Sequence, residues 1–215
     1  MPKYLFITGT NTDVGKTYIG TKLIKGLNKK YSCLAFKPIE TGCVKKKDLL
    51  IPEDSTKYYG ILNKVMDLDE LNPYRFIPPV SPYLAIKKAK KRIFIKDYYA
   101  KLKIISTNDP VLVEGAGGAF SPLALDGLNI DLMKMIGSFN ILIIKDELGC
   151  ISGALSNILA FEKFKVRLDL LILNTQNKNN MDNFKEIKKY TTIPMINYTK
   201  SADIKSIQDK ISRFL

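Results

Sequence analysis

The sequence predicts a three-layer α/β fold with a mostly parallel sheet and helices on both of its faces. Short apolar runs alternate with helix-like patterns along the 215 residues, as in folds built from strand-helix units. The runs are apolar at nearly every position, which is expected of strands that are covered on both faces. In such sheets ligands gather beyond the carboxyl ends of the strands, so the candidate site residues are sought there.

Six short runs are predicted as strands, because each is mainly apolar and is bounded by polar or turn-forming residues. In chain order they are 4–8, 33–37, 111–114, 141–145, 170–173 and 194–197. Apolar residues at helical spacing fill the intervals between them. They predict helices at 16–29, 55–62, 82–91, 95–105, 130–137, 151–164 and 183–190. A last helix is predicted in the tail, where Ile204, Ile207 and Ile211 share one face.

The chain is expected to form a single domain over residues 1–215. A domain takes roughly 150 residues on average, and no repeat or low-complexity linker divides this sequence. Residues 42–82 are rich in proline and glycine. We expect this segment to be an excursion beside the active site rather than a second domain.

Composition excludes several classes of function. The chain has no histidine, which removes Ser-His-Asp and Cys-His catalysis and histidine-ligated metals. Three cysteines cannot build a disulfide framework, and residues 1–7 do not resemble a secretory leader, so a cytoplasmic location is expected. No apolar run approaches the roughly 20 residues of a membrane helix. The net charge of +13 suits anionic ligands, although a general lysine bias also explains it.

The sharpest motif is the loop after the first predicted strand, residues 9–17, which reads GTNTDVGKT. A strand enters this loop and an amphipathic helix leaves it, as in phosphate-binding loops of P-loop NTPases. We expect Lys16 to reach the β- and γ-phosphates and the Thr17 hydroxyl to bind Mg²⁺. Gly9 lies one residue earlier than the general pattern places it. Asp13 either orients a substrate amine or shapes the loop.

Three further charged residues are placed for the same crevice. Lys37 ends the second predicted strand and would add a second positive charge beside Lys16. Glu114 ends the third and is positioned to meet the metal held by Thr17. Asp54 opens a predicted helix, where it either joins the metal site or complements the helix dipole.

Taken together, these motifs resemble the dethiobiotin synthetases over most of the chain. The resemblance rests on five elements in order and at matching spacing, which include the early glycine of the phosphate loop. They are residues 9–17, Lys37-Pro38 with Thr41-Gly42, Asn72-Pro73-Tyr74 with Ser81-Pro82, residues 113–118 and residues 148–151.

The resemblance implies a reaction and its partners. 7,8-Diaminononanoate would take up CO₂ as a carbamate, which a nucleoside triphosphate, ATP or another, would activate before the ring closes to dethiobiotin. The family also implies Mg²⁺ and a homodimer whose subunit interface lies near the substrate's carboxylate tail.

The resemblance assigns roles residue by residue. Lys16 and Lys37 are the implied catalytic residues, and the implied magnesium ligands are Thr17, Asp54 and Glu114. The implied nucleotide-binding residues are Thr12, Asp13, Val14, Gly15, Lys16, Thr17, Asp54, Glu114, Gly115, Ala116, Gly117, Asn174 and Thr175. The implied substrate-binding residues are Lys37, Thr41, Gly118, Leu148, Gly149, Cys150 and Ile151. The chain departs from the family at Thr175, at Ser152 and in residues 194–198, which lack the family's Gly-x-Ile-Pro segment.

Two alternatives stay open beside this interpretation. One is a related P-loop amidoligase or a partition-type ATPase, but Thr10, Asn11 and Thr12 offer no early loop lysine of the kind partition ATPases carry. The other is a nucleic-acid or anionic-membrane module, because residues 87–103 hold eight basic residues against Asp97. Since Leu84, Ala85, Ile86 and Ala89 are interleaved with these lysines, a solvated helix face is predicted, and neither nucleic acid nor membrane is an expected partner.

Overall fold

A six-stranded sheet forms the centre of the computed structural model, which describes residues 3–105, 109–175, 182–199 and 204–215. The strands in chain order are β1 (Tyr4–Gly9), β2 (Leu34–Phe36), β3 (Ile39–Thr41), β4 (Val44–Lys46), β5 (Leu49–Ile51), β6 (Tyr74–Phe76), β7 (Val111–Gly118), β8 (Phe139–Lys145), β9 (Leu170–Thr175) and β10 (Met195–Thr199). The central sheet has the order β10-β9-β8-β1-β7-β2, and all of its strand pairs are parallel.

Helices cover both faces of this sheet. They are α1 (Lys16–Leu27), α2 (Glu53–Ile61), α3 (Leu68–Leu71), α4 (Pro82–Lys88), α5 (Ile95–Ile105), α6 (Asn129–Ile136), α7 (Cys150–Lys163), α8 (Asn183–Lys188) and α9 (Lys205–Ser212). Because side chains alternate along a strand, Leu5 and Ile7 join the core under α1, α2 and α9, whereas Phe6 joins the core under α4 to α8. The predicted three-layer parallel architecture is confirmed.

All six predicted strands are present in the central sheet, with ends that shift by up to four residues. Glu114 therefore lies inside β7 rather than at its end, and Lys37 lies one residue beyond β2. Four short strands and α3 were not predicted. Two of these strands, β4 and β5, form a hairpin with exposed or half-buried side chains. β4 contains two lysines, and the apolar run of β5 is only three residues long, shorter than the roughly four to eight residues by which a strand is usually predicted. The single domain stays a prediction.

The segment that the sequence marks as an excursion forms one wall of the main cavity. β3 pairs in parallel with β6, and the turn after β6 brings Pro79 and Val80 beside Thr41. The Asn72 side chain donates from Nδ2 to the Lys37 backbone oxygen at 2.7 Å, and this bond fixes the chain immediately beyond β2. The excursion thus positions the lysine that the sequence singled out.

The basic stretch over residues 87–103 is solvated as predicted, since all eight of its basic residues are exposed. One detail of the prediction is wrong: Leu84 and Ala89 are also exposed, and only Ala85 and Ile86 of the interleaved residues are buried. The reason is that α4 spans only seven residues and contacts the core through a narrow face. Among the described residues, no helix has the length and apolarity needed to cross a membrane.

Candidate active site

The phosphate loop joins β1 to α1 through two left-handed residues, Asp13 at φ 54° and Gly15 at φ 97°. Gly9 has no space for a side chain, because a Cβ there would lie 2.5 Å from the Val14 Cγ2 atom. This contact explains the early glycine, which lets the loop fold back on the end of β1. Lys16 opens α1, and its Nζ donates to the Asn11 backbone oxygen at 2.8 Å.

Asn174 fastens the end of β9 to this loop. Its Nδ2 donates to the Val14 backbone oxygen at 2.9 Å, whereas its buried Oδ1 has no hydrogen-bond partner among the described residues. The hydroxyl of its neighbour Thr175 lies 2.9 Å from Asp146 Oδ2 and 2.6 Å from Asn197 Oδ1, and its single proton serves one of these acceptors at a time. The contact that the structure gives Asn174 is therefore with the loop, and its role in nucleotide binding stays a prediction.

The three charged residues predicted for the crevice beside Lys16, one lysine and two acids, meet in one cluster. Lys37 Nζ lies 2.5 Å from Glu114 Oε1 and 3.0 Å from Asp54 Oδ2. The Thr17 hydroxyl donates to Glu114 Oε1 at 2.9 Å. Lys37 and Glu114 are buried, with 5% and 1% of their side-chain surface exposed, so this ion pair is almost free of solvent.

Burial and charge act oppositely on the two lysines. Burial alone lowers the pKa of Lys37, but the adjacent carboxylates, Glu114 first, more than compensate, and the pKa is raised. Burial lowers the pKa of Lys16, and the negative charge of Glu114 offsets this only in part, since Lys16 makes no ion pair among the described residues. Asp54 loses solvation too, yet the Lys37 ammonium holds the pKa of its carboxyl below the usual value. Lys37 is thus neutralised by protein, whereas the charge of Lys16 faces the cavity with little compensation.

Glu40 is a buried residue of this site that the sequence did not reveal. Its Oε1 accepts from the Asp54 backbone N–H at 2.9 Å, and its Oε2 accepts from the Ser55 N–H at 3.0 Å and the Ser55 hydroxyl at 2.5 Å. It therefore satisfies the free N–H groups at the start of α2, where a negative charge is also favoured. Because α2 carries Asp54, Glu40 sets the position of that carboxylate.

We expect Glu40→Gln to lower the free energy of unfolding by about 1–3 kcal/mol, since the amide turns one acceptor into a donor that faces N–H groups. Urea unfolding measures the change. Glu53→Gln, on the same helix but with 84% of its side-chain surface exposed, is the matched control and should shift stability by less than about 0.5 kcal/mol. Equal losses in the two variants would contradict the capping role.

These groups surround a cavity of 710 Å³ at the carboxyl ends of the central strands. The predicted site residues that line it are Thr12, Asp13, Gly15, Lys16, Thr17, Lys37, Thr41, Asp54, Ala116 and Gly117. The lining residues that were not predicted for the site are Tyr18, Ile39, Glu40, Lys57, Pro79 and Val80. The two lysines thus share one cavity with Thr17 and Asp54, two of the three residues proposed for the metal.

Other predicted site residues lie behind or beside this cavity. Val14, Glu114 and Asn174 are buried in its wall, and Gly118 packs on the loop, where a Cβ would lie 3.0 Å from the Gly9 carbonyl oxygen. The segment of Leu148, Gly149, Cys150 and Ile151 leads into α7, which begins at Cys150, and is not among the described residues that line the cavity. Leu148 is 92% exposed.

The oxygen donors of the cluster fit Mg²⁺. The hydroxyl of Thr17 and the carboxylates of Asp54 and Glu114 are hard ligands, and all three residues are joined through Lys37 or Glu114. Among the described residues, no group of three or more His, Cys, Asp or Glu side chains forms a metal site. Mg²⁺ is usually held by one or two carboxylates together with substrate phosphates and water, and the cluster offers the carboxylates of Asp54 and Glu114.

Comparison with known proteins places the chain in a family. A model described as "AAA domain" matches residues 3–200. The ATP-dependent dethiobiotin synthetase of Vesicomyosocius okutanii is 34% identical over 213 residues, which cover 99% of this chain and 97% of that protein. The enzyme of the same name from Fusobacterium nucleatum is 37% identical over 180 residues, or 80% and 78% of the two chains.

Solved structures agree on the fold. A plasmid partition protein from Borrelia burgdorferi, bound to AMPPNP, superposes with a TM-score of 0.60 at 16% identity and covers 99% of this chain and 98% of that one. The septum site-determining protein MinD from Pyrococcus horikoshii, complexed with Mg-ADP, gives 0.54 at 14% identity and covers 98% and 85%. These structures show the P-loop NTPase fold alone. The full-length sequence relatives decide the family, and the chain belongs to the ATP-dependent dethiobiotin synthetases.

Proposed function

We propose that the protein is an ATP-dependent ligase that converts 7,8-diaminononanoate and CO₂ to dethiobiotin, as the names of its relatives indicate. The observation that carries the proposal for this chain is the shared cavity of Lys16 and Lys37. Every reacting partner except the diamine's amines is anionic or becomes so, and two preplaced ammonium groups offset the repulsion between them.

The reaction needs no nucleophile from the protein. One amine of the diamine attacks CO₂ and loses a proton, which gives a carbamate. A carbamate oxygen then attacks the γ-phosphorus of ATP, and ADP leaves from a carbamic-phosphoric anhydride. The second amine attacks the activated carbon and loses a proton, inorganic phosphate leaves with its electron pair, and the cyclic urea closes. Positioning and charge neutralisation carry such chemistry, which suits a chain without histidine.

The residues of the cavity divide this work by their place. Lys16 and the N–H groups of residues 12–17 hold the triphosphate at the start of α1, and Lys16 stabilises the negative charge on the phosphoryl group during its transfer. Lys37 holds the carbamate against the γ-phosphate. Thr41 lines the cavity on the excursion side, where it contacts the substrate amine or carbamate. Gly118 keeps the backbone between nucleotide and substrate free of side chains.

Thr17, Asp54 and Glu114 would hold Mg²⁺, which supplies charge neutralisation on the β- and γ-phosphates. Lys37 forms ion pairs with Asp54 and Glu114, so the lysine ammonium and the metal ion would bind the same two carboxylates. The homodimer is part of the proposal. Its support is the nearly full exposure of Leu148 at the start of α7, a segment that the partner subunit would cover. A cytoplasmic location completes it.

Phosphate release tests the function. The protein is mixed with ATP, Mg²⁺ and bicarbonate, and phosphate is measured with and without 7,8-diaminononanoate, then with GTP and CTP in place of ATP. We expect release to require the diamine and to match the dethiobiotin formed. Release at the same rate without the diamine would overturn the proposal and would favour an ATPase of the partition type, whose fold the chain shares.

A further inference from the structure

A buried tyrosine outside the cavity contacts the innermost acid of the site. Tyr58, on α2, is 1% exposed, and its hydroxyl donates to Glu114 Oε2 at 2.5 Å. The other oxygen, Oε1, accepts from Thr17 and Lys37. The two oxygens of the carboxylate therefore have different partners. Oε1 faces the site residues Thr17 and Lys37, and Oε2 accepts the hydrogen bond from Tyr58 on the opposite side.

The tyrosine is suited to act as a donor to this carboxylate. Its hydroxyl is enclosed with Glu114, and the 2.5 Å between the two oxygens is the length of a strong hydrogen bond from a hydroxyl to a carboxylate. A carboxylate that is 1% exposed needs such donors, because water does not satisfy it. Without the phenol, Oε2 would be left without a protein donor among the described residues.

The position of the hydroxyl is enforced from the opposite helix. A Cβ at Gly20, on α1, would lie 1.9 Å from the Tyr58 hydroxyl oxygen and 3.0 Å from Cζ. Gly20 thus provides the space through which the phenol reaches β7. Since packed interiors leave little room to shift, a side chain at residue 20 would push the hydroxyl off Glu114.

We infer that Tyr58 is a positioning residue that fixes the carboxylate of Glu114 for Mg²⁺, and that Gly20 makes this contact possible. The inference rests on the proposed function only in assigning the metal to Thr17, Asp54 and Glu114. Groups that orient a metal ligand typically change metal affinity 10–100-fold when removed. Tyr58 touches neither nucleotide nor substrate in this assignment, so its effect passes through Glu114.

The first test compares Tyr58→Phe with Tyr59→Phe. Phenylalanine keeps the ring of Tyr58 and removes only the hydroxyl, and Tyr59 is the half-buried neighbour on the same helix. Mn²⁺ affinity is measured by electron paramagnetic resonance with ADP bound, and ADP affinity is measured without metal. We expect Tyr58→Phe to weaken Mn²⁺ binding roughly 10–100-fold and to leave metal-free ADP binding within about twofold, and Tyr59→Phe to change neither.

A second test uses the glycine. Gly20→Ala should weaken Mn²⁺ binding in the parent protein but add no loss in the Tyr58→Phe background, where the hydroxyl is already absent. Gly60→Ala is the control, because a Cβ there has nothing within 4 Å. Unchanged Mn²⁺ affinity in Tyr58→Phe, or the same loss from Gly20→Ala in both backgrounds, would overturn the inference. Neither readout involves turnover, so an enzyme that ignored the diamine would refute the proposed function and leave this result standing.

Discussion

Replacing Lys37 by glutamine is expected to lower kcat by about 10²–10³-fold, the typical cost of removing one preplaced group that stabilises developing charge. Glutamine keeps much of the length and loses the ammonium that lies between Asp54 and Glu114. Steady-state phosphate release with saturating diamine measures the change. Metal-free ADP affinity should stay within about threefold, because Lys37 is assigned to the carbamate and γ-phosphate, which ADP lacks.

The same substitution should reduce stability. Removing one partner of a buried ion pair leaves the other uncompensated and typically costs about 3–5 kcal/mol of unfolding free energy. Circular dichroism melts therefore accompany the assay, and kcat is expressed per folded protein. Lys88→Gln, in the exposed basic stretch, is the control and should alter neither quantity. A Lys37→Gln enzyme that kept kcat within threefold of the parent would show that the lysine does not act in the chemistry.

The central sheet was predictable because its strands are covered on both faces. Runs such as Leu170–Leu173 are apolar at every position. Such a run can be recognised as a buried strand even when the neighbouring strands with which it pairs are unknown. The hairpin of β4 and β5 gives only a weak signal, because β4 contains two lysines and the apolar run of β5 is three residues long. The pairing of β3 with β6 depends on contacts across more than thirty residues, which local pattern cannot supply.

The site divides in the same way. Gly9, Lys16, Thr17, Lys37 and Glu114 were found because each follows or ends an apolar run of sequence. Such runs form strands whose carboxyl ends meet at one edge of a parallel sheet. Glu40 and Tyr58 were missed, since each acts through a residue that only the folded chain brings near: Glu40 through the start of α2, and Tyr58 through Glu114, 56 residues away in sequence. The available hint for Glu40 was an acid that stands between Lys37-Pro38 and Thr41-Gly42 in the sequence.

Replacing Lys16 by glutamine is expected to have a different signature. Turnover should fall by about 10³-fold or more, which is the usual loss in kcat when a cation that stabilises the transferring phosphoryl group is removed. Unlike the change at Lys37, this one should also weaken metal-free ADP binding severalfold, because Lys16 lies at the start of α1 where the β-phosphate is expected. Isothermal titration with ADP and the phosphate-release assay separate the two lysines.

Stability should separate them further. Burial lowers the pKa of Lys16, and its Nζ has a neutral partner, the Asn11 carbonyl oxygen, so the charged form is held at a cost to the free protein. Removing that charge should leave the melting temperature unchanged or raise it, whereas Lys37→Gln should lower it. Binding of an anion next to Lys16 would offset this destabilisation of the charged lysine, so a group that lowers the stability of the free protein raises its affinity for the anion. A Lys16→Gln protein that melts as low as Lys37→Gln would mean that both lysines are structural counterions, and the division of labour between them would be wrong.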